Sequence, residues 1–312
     1  MEPDQVSLPV YKNILETFLQ EARFKLPPYK EDPSFDREII DICLAQDLPA
    51  DQMEAVARVG VATARWFYPS HDRETQVAIA TFTALATAVD DLGDSMVEGL
   101  RQYRTRLLAR QPLGVKVLQS LFDQVLEMGR FYDTFATDMV FKGAVEFCSA
   151  NLVEIEKGAL LKANKSAPEF VNYFRLKSGI AEPYAFYIFP EKLLHGSNPC
   201  CHLPLIPDLV GFINAVNDIM SYYKESLIGN ERGNAIHLHA AANGQSVVES
   251  LSDYQRSALV YLGRVREYAS TELVLAEKVE EFIQGFMAFH LMYTRYRLNE
   301  LCLTVRNYAD FI

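Results

Sequence analysis

The sequence predicts an all-α fold, on three observations. Apolar residues recur at intervals of three and four through most of the 312 residues. Strand signals are poor: no Asn-Gly or Asp-Gly turn lies between alternating runs, and "NGQS" falls between two helical patterns. The breaks are mostly short, none resembles a domain linker, and there is no internal repeat or low-complexity tract. The expectation is one all-α domain covering residues 1–312, with about ten helices.

In chain order the periodic segments are residues 10–24, 51–68, 75–96, 115–135, 137–161, 170–177, 207–227, 247–271 and 277–305. The first is followed by "KLPPYKEDPS" and the second by "YPSHD", both bearing Pro. The third contains "VAIATFTALATAV", apolar on more than one face, so it is expected to be wrapped by other helices. "RQPLG" precedes the fourth segment, and "KANKSAP" separates the fifth from the sixth. "HGSNPCCHLPLIP" and "GNERGN" bracket the seventh. The last carries "FIQGFMAFHLMY", a second helix apolar on more than one face. Small residues such as Ala80, Ala84 and Gly285 leave room on these two helices, for a neighbouring helix or for a ligand.

The composition is globular: 49% hydrophobic and 23% charged residues. A net charge of −11 argues against a nucleic-acid partner, because a phosphate backbone needs a basic surface. It does not forbid a small anion held by a few cations. Five cysteines, an odd number with no CxxC, argue against a disulfide framework or a zinc site and fit a reducing, cytoplasmic location. The N-terminus lacks the order of a signal peptide, and the longest apolar stretch has 13 residues, too few to span a bilayer.

Two polar clusters interrupt this apolar pattern. "VDDLGDS" ends the most apolar segment with Asp90, Asp91 and Asp94, at spacings of three and four that put them on one helix face. Three carboxylates at the negative end of a helix dipole call for a compensating cation, and oxygen-only ligands suit Mg²⁺. The plain alternative is a fraying helix end with three solvated acids. "AVNDIMSYYKESL" carries the second cluster: Asn217, Ser221 and Glu225 at i, i+4 and i+8 form one stripe of oxygen donors. It too ends a long apolar segment. The functional reading has the two clusters face each other across a pocket mouth and hold a polyanion through magnesium. Asp218, about 100° round the helix from Asn217, is expected to support the site without binding metal.

These residues resemble those of class I terpene synthases, and the resemblance implies their fold, a single-domain helical bundle around a central apolar pocket. "DDLGD" resembles the aspartate-rich DDxxD motif, and "NDIMSYYKE" matches the second metal motif, (N/D)Dxx(S/T)xxxE, at every specified position. With "HLMYTRYRLNEL", the sequence is most similar to the fungal trichodiene synthase-like group, from about Trp66 to Cys302. The resemblance implies Mg²⁺, in three ions, held by Asp90, Asp91, Asp94, Asn217, Ser221 and Glu225. It implies a diphosphate group met by Arg175, Lys224, Arg295 and Tyr296. It gives Ser178 a linker role and Gly179 an effector role, with a helix break at Gly179 exposing carbonyls to a developing cation. Of the adjacent pair Arg295 and Arg297, the pattern favours Arg295; Lys177 and Arg232 are further cations that could serve, and His237 and His239 are read as structural.

The implied reaction is ionisation of farnesyl diphosphate to an allylic carbocation, followed by cyclisation to a C15 hydrocarbon of humulene or trichodiene type. Phe82, Tyr184 and Phe289 are the aromatics expected to stabilise the cation, each such contact being worth about 2 kcal/mol when desolvated. "LIGNERGN" is expected to act as a lid. Three departures bear on the product. The chain ends at Ile312, where trichodiene synthase has a longer tail, Ser178 replaces the commoner Asp or Asn, and Gly93 would loosen the acidic helix end. There is no DxDD motif, so protonation-initiated cyclisation is not indicated. A chain-elongating prenyltransferase, which usually carries two aspartate-rich motifs, and a non-catalytic isoprenoid-binding protein are the alternatives. A homodimer is open.

Overall fold

Thirteen α-helices form among the residues that this computed structural model describes, 6–195 and 198–303, and no strand forms among them. They are α1 (Leu8–Glu21), α2 (Pro33–Leu44), α3 (Ala50–Phe67), α4 (Arg73–Leu92), α5 (Val97–Leu108), α6 (Lys116–Met128), α7 (Thr134–Lys157), α8 (Glu169–Ser178), α9 (Ala181–Phe186), α10 (Ile206–Tyr222), α11 (Ala235–Asn243), α12 (Val247–Ala269) and α13 (Leu273–Met292). They divide between two compact units. One holds residues 6–28, 159–176 and 202–303; the other holds 29–158, 177–195 and 198–201.

In the unit that begins at residue 29, α4 is the central helix, with α2, α3, α6 and α7 packed against it. Every residue from 78 to 86 is buried, as apolarity on all sides demands. The room left by the alanines here is taken by a helix: a methyl group on Gly60 of α3 would strike the carbonyl oxygen of Ala80 and the Ala84 side chain. Asp72 caps α4, accepting the Thr75 amide at 2.9 Å.

In the unit that begins at residue 6, α12 is the hub, packed by α1, α10, α11 and α13. A Ser246–Glu249 capping box opens α12. The Tyr11 hydroxyl of α1 donates to the Ile219 carbonyl of α10 at 2.9 Å. The helical run Leu203–Ile228 is, by length and composition, apolar enough to cross a membrane. It is instead a core helix: 56% of its apolar window is buried within the protein, and it carries the Asn217 cluster.

Several boundaries differ from the periodic reading. The helix read over 75–96 stops at Leu92 and continues as a 3₁₀ turn, Gly93–Met96. The helix read over 207–227 turns from α to π at Tyr223, over Tyr223–Ile228. The helix read over 277–305 ends at Met292, where Tyr293 turns extended, and Arg295 lies in the 3₁₀ turn Thr294–Tyr296; residues past 303 lie outside the described ones. Four short helices, α2, α5, α9 and α11, were absent from the periodic pattern because each buries only a few side chains.

Candidate active site

In the α4 unit, Asp90 and Asp91 close α4 and Asp94 follows in the 3₁₀ turn, all three exposed. The shared helix face expected for them is therefore interrupted after Leu92. The α-helix gives way to the 3₁₀ turn at Gly93, and this glycine is also packed tightly. It is buried, and a methyl group there would come within 2.5 Å of the Asn151 Oδ1 and 2.8 Å of the Ile155 Cδ1 of α7. A glycine is what lets the acidic turn seat on α7. Asn151 is itself buried, and its Oδ1 has no hydrogen-bond partner among the described residues. Such a carbonyl oxygen is a costly group to leave unmet.

The break expected at Gly179 is present, between α8 and α9, but the backbone stress sits one residue later. Ile180 has φ 46°, in the left-handed region, as the N-cap of α9. A β-branched side chain there is an outlier that costs about 1–3 kcal/mol. Ser178 ends α8, and Ser178, Gly179 and Ile180 are all half-buried. On α9, the half-buried Tyr184 points its hydroxyl at Thr83 Oγ1 of α4, 3.3 Å away. Burial raises the Tyr184 pKa to about 12; the Thr83 bond opposes this and Asp90 adds to it. Phe82, expected to face substrate, has no accessible surface and meets Tyr187 edge-on at 5.5 Å. It is a core residue because α4 is wrapped on every side at that height. Lys177 pairs with Glu146 of α7 and is spoken for within the fold.

In the other unit, Arg175 of α8 reaches α10. Its Nε donates to both Asp218 oxygens, at 2.9 and 3.0 Å, and its Nη2 donates to Asn217 Oδ1 at 3.1 Å. Burial disfavours the guanidinium charge, but Asp218 outweighs it and the Arg175 pKa rises. Burial pushes the Asp218 carboxyl up against the pull of Arg175. Asp218, buried, thus serves Arg175, while Asn217 keeps an oxygen facing a cation. Ser221, one turn on, is buried.

Glu225 lies in the π turn, so the stripe that begins at Asn217 and Ser221 does not continue with α-helical phase. The turn is tied to the segment after it: the Glu231 amide donates to the Glu225 carbonyl at 2.7 Å, and Arg232 Nη1 donates to the Ser226 carbonyl at 3.0 Å. Arg232, one of the further cations considered, therefore braces the loop read as a lid. Lys224 Nζ sits 3.4 Å from Glu225 Oε1 and 5.6 Å from the centre of the Tyr296 ring.

After α13, Arg295 is half-buried and Tyr296 buried, whereas Arg297 is exposed and forms a forked pair with Glu300. Phe289 is buried among His290, Tyr293 and Tyr296. His290 was not singled out in the sequence. Its ring lies 4.3 Å from that of Tyr296, its Nδ1 is 2.7 Å from the Phe286 carbonyl, and its Nε2 is 3.2 Å from Asn217 Nδ2. Burial lowers its pKa to about 4, the Phe286 bond opposing and Lys224 adding to the shift. The available signal was one ionisable residue inside the apolar run "FMAFHLM". His237 and His239 are structural: His237 stacks on Tyr222 and His239 bonds Ser250.

Among the described residues, no three His, Cys, Asp or Glu side chains come close enough to form a ready metal cage. The donors still fit Mg²⁺. They are oxygens throughout, and this ion keeps several waters and takes only one or two carboxylates from the protein. None of the five cysteines, all among the described residues, forms a disulfide.

In each unit an apolar helix, α4 in one and α10 in the other, carries oxygen donors toward its C-terminal end, and on α10 a cation, Arg175, is bonded to one of them. The chain belongs to the trichodiene synthase (TRI5) family, whose model matches residues 34–308. It is similar to an (E)-beta farnesene synthase of Metarhizium brunneum, 29% identical over 297 residues, covering 93% of this chain and 89% of that protein. Terpene synthase BipA of Cochliobolus sativus is 26% identical over 305 residues, covering 96% and 92%. Among solved structures, linalool/nerolidol synthase from Streptomyces clavuligerus shares the fold, with a TM-score of 0.64 at 12% identity, covering 86% of this chain and 99% of that one. The chain is an enzyme of the terpene synthase class, a carbon–oxygen lyase.

Proposed function

We propose that this enzyme ionises farnesyl diphosphate and closes the resulting allylic cation into a C15 hydrocarbon, releasing diphosphate. The observation that carries the reading is the bridge from Arg175 to both Asn217 and Asp218. It joins the cation expected to meet diphosphate to the first donor of the second metal motif, so an anion drawing Arg175 away would free the Asn217 oxygen.

Mg²⁺ held by Asp90, Asp91, Asp94, Asn217, Ser221 and Glu225 would neutralise the diphosphate and make it a better leaving group. Arg175, Lys224, Arg295 and the Tyr296 hydroxyl bind the same oxygens. A headgroup of about three negative charges cannot enter a partly dry site without such cations. No protein nucleophile is required, since the bond to oxygen breaks with its electron pair leaving on diphosphate. Phe289 and Tyr184 offer π faces to the cation. Farnesyl chain length, and a humulene-type or trichodiene-type ring, belong to this proposal; the name of the (E)-beta farnesene synthase relative supports the chain length.

The test is incubation of the protein with farnesyl diphosphate and Mg²⁺, with gas chromatography–mass spectrometry of a hexane overlay and EDTA as control. A cyclic C15 hydrocarbon that vanishes with EDTA is expected. An acyclic C15 hydrocarbon would keep the ionisation and overturn the cyclisation. A longer prenyl diphosphate would assign the chain to elongation, and no product from any prenyl diphosphate would overturn the reading.

A further inference from the structure

The Asn217 amide is locked at both ends by groups that can play only one part. At one end stands Arg175, whose Nη2, 3.1 Å from the amide, has only hydrogens to offer. The amide must therefore turn its Oδ1 to Arg175 and its Nδ2 the other way. Nδ2 lies 3.2 Å from His290 Nε2, so that nitrogen must accept. At the far end stands the Phe286 carbonyl, 2.7 Å from His290 Nδ1, and a carbonyl can only accept. His290 Nδ1 therefore carries the proton. One order of donors satisfies the chain from the Phe286 carbonyl through His290 and Asn217 to Arg175. The other imidazole tautomer would set an N–H against the amide N–H₂. Flipping the amide to relieve that would set its N–H₂ against the guanidinium.

His290 is held for this task. It is 1% exposed, on α13, with its ring 4.7 Å from that of Phe286 and 4.3 Å from that of Tyr296. Of the charged groups, Lys224 acts on it.

We propose that His290 is a positioning residue: through its Nδ1–H tautomer it fixes the face of the Asn217 amide, so that an oxygen and not an N–H₂ group is presented to a cation. The inference rests on the reading of Asn217 as a metal donor. It adds a residue, buried and outside the motif, that decides whether the amide can act as one. Glutamine at 290 offers the same order, an N–H₂ for Phe286 and an oxygen for Asn217. Phenylalanine keeps the ring packing and removes both nitrogens.

Two measurements test this. The first is ¹⁵N NMR of the metal-free protein labelled at histidine, with His290→Phe to assign the signal. One ring locked as the Nδ1–H tautomer is expected; an Nε2–H tautomer would overturn the proposal. The second is the rise in melting temperature on adding Mg²⁺ with inorganic diphosphate. His290→Phe should raise the Mg²⁺ concentration for half the rise about tenfold, a typical loss for a group that orients a ligand, and His290→Gln should restore it. In an Asn217→Asp background, with oxygen on both sides of the side chain, His290→Phe should add nothing. An equal effect in both backgrounds would mean that the ring only fills space and would overturn the proposal. If the wild type shows no response to Mg²⁺ and diphosphate, the metal reading fails, and the tautomer still decides whether His290 holds the amide.

Discussion

The two oxygen clusters are built in opposite ways. At the end of α4, Asp90, Asp91 and Asp94 are exposed, close in sequence and set at the negative end of a helix dipole. On α10, Asn217 is braced by Arg175 and His290, and Asp218 is buried against Arg175. The first cluster is three exposed carboxyl side chains divided between a helix end and a 3₁₀ turn. The second is nearly neutral, with its geometry fixed by buried partners before any ligand arrives. Substitutions at the first should change the chemistry and leave the fold; substitutions behind the second should change both.

The largest expected effect is on the buried side. Asp218→Ala leaves the Arg175 guanidinium without its carboxylate, with side-chain exposures of only 18% and 10% in the pair. Removing one partner of a buried pair should cost about 3 kcal/mol, read as a lower urea midpoint. A loss below about 0.5 kcal/mol would break the contrast. Asp90→Asn should do the reverse: stability unchanged within about 0.5 kcal/mol and diphosphate release lowered about a hundredfold, or about 2.7 kcal/mol of barrier. Equal activity with intact fold would remove Asp90 from the chemistry.

Gly93→Ala sharpens the comparison by moving the acidic turn without touching a charge. The methyl group meets Asn151 and Ile155, so a loss of about 1–3 kcal/mol is expected from overpacking. Gly158→Ala, with nothing within 4 Å, is the control and should change little. Pairing Gly93→Ala with Asn151→Ala should recover part of the loss.

The smallest effect is at the start of the same helix. Asp72→Ala removes the α4 cap and should cost about 1 kcal/mol in a melt. Partial burial raises the Asp72 carboxyl, but Lys192 and Thr75 outweigh it and hold it at about 2, below the ordinary 3.8. A carboxyl depressed in the folded state adds stability above its ordinary value, and that stability is lost as pH falls toward 2. The gap between wild type and Asp72→Ala should therefore narrow below about pH 4; a constant gap would remove the charge from the explanation.

The long helices were legible because burial on one or all faces writes itself into apolar spacing. α4, α10 and α13 were each read from such runs. Their ends were not: the 3₁₀ turn at Gly93, the π turn at Tyr223 and the extended Tyr293 arise from packing, which periodicity does not encode. The short α2 was marked by its Asp32 cap and Pro33, a local signal masked by the prolines before it. In the site, residues with a fixed motif spacing were readable one by one. Partners from distant segments were not. Asp218 was placed beside the metal ligands, but its bond to Arg175 spans 43 positions; His290 lies 73 from Asn217, and Asn151 shares no motif with Gly93. Phe82, read from its spacing before Asp90, has no accessible surface and packs against Tyr187, a contact with a segment 105 residues on that spacing does not encode.

The most direct test of the account is release of inorganic diphosphate from farnesyl diphosphate as Mg²⁺ is titrated, for the wild type, Asp90→Asn and Asn217→Ala, with each shown folded by circular dichroism. The account predicts saturable release by the wild type, abolished by EDTA, and a loss of at least tenfold in each variant. Release that persists in EDTA, or that is unchanged in both variants, would contradict it.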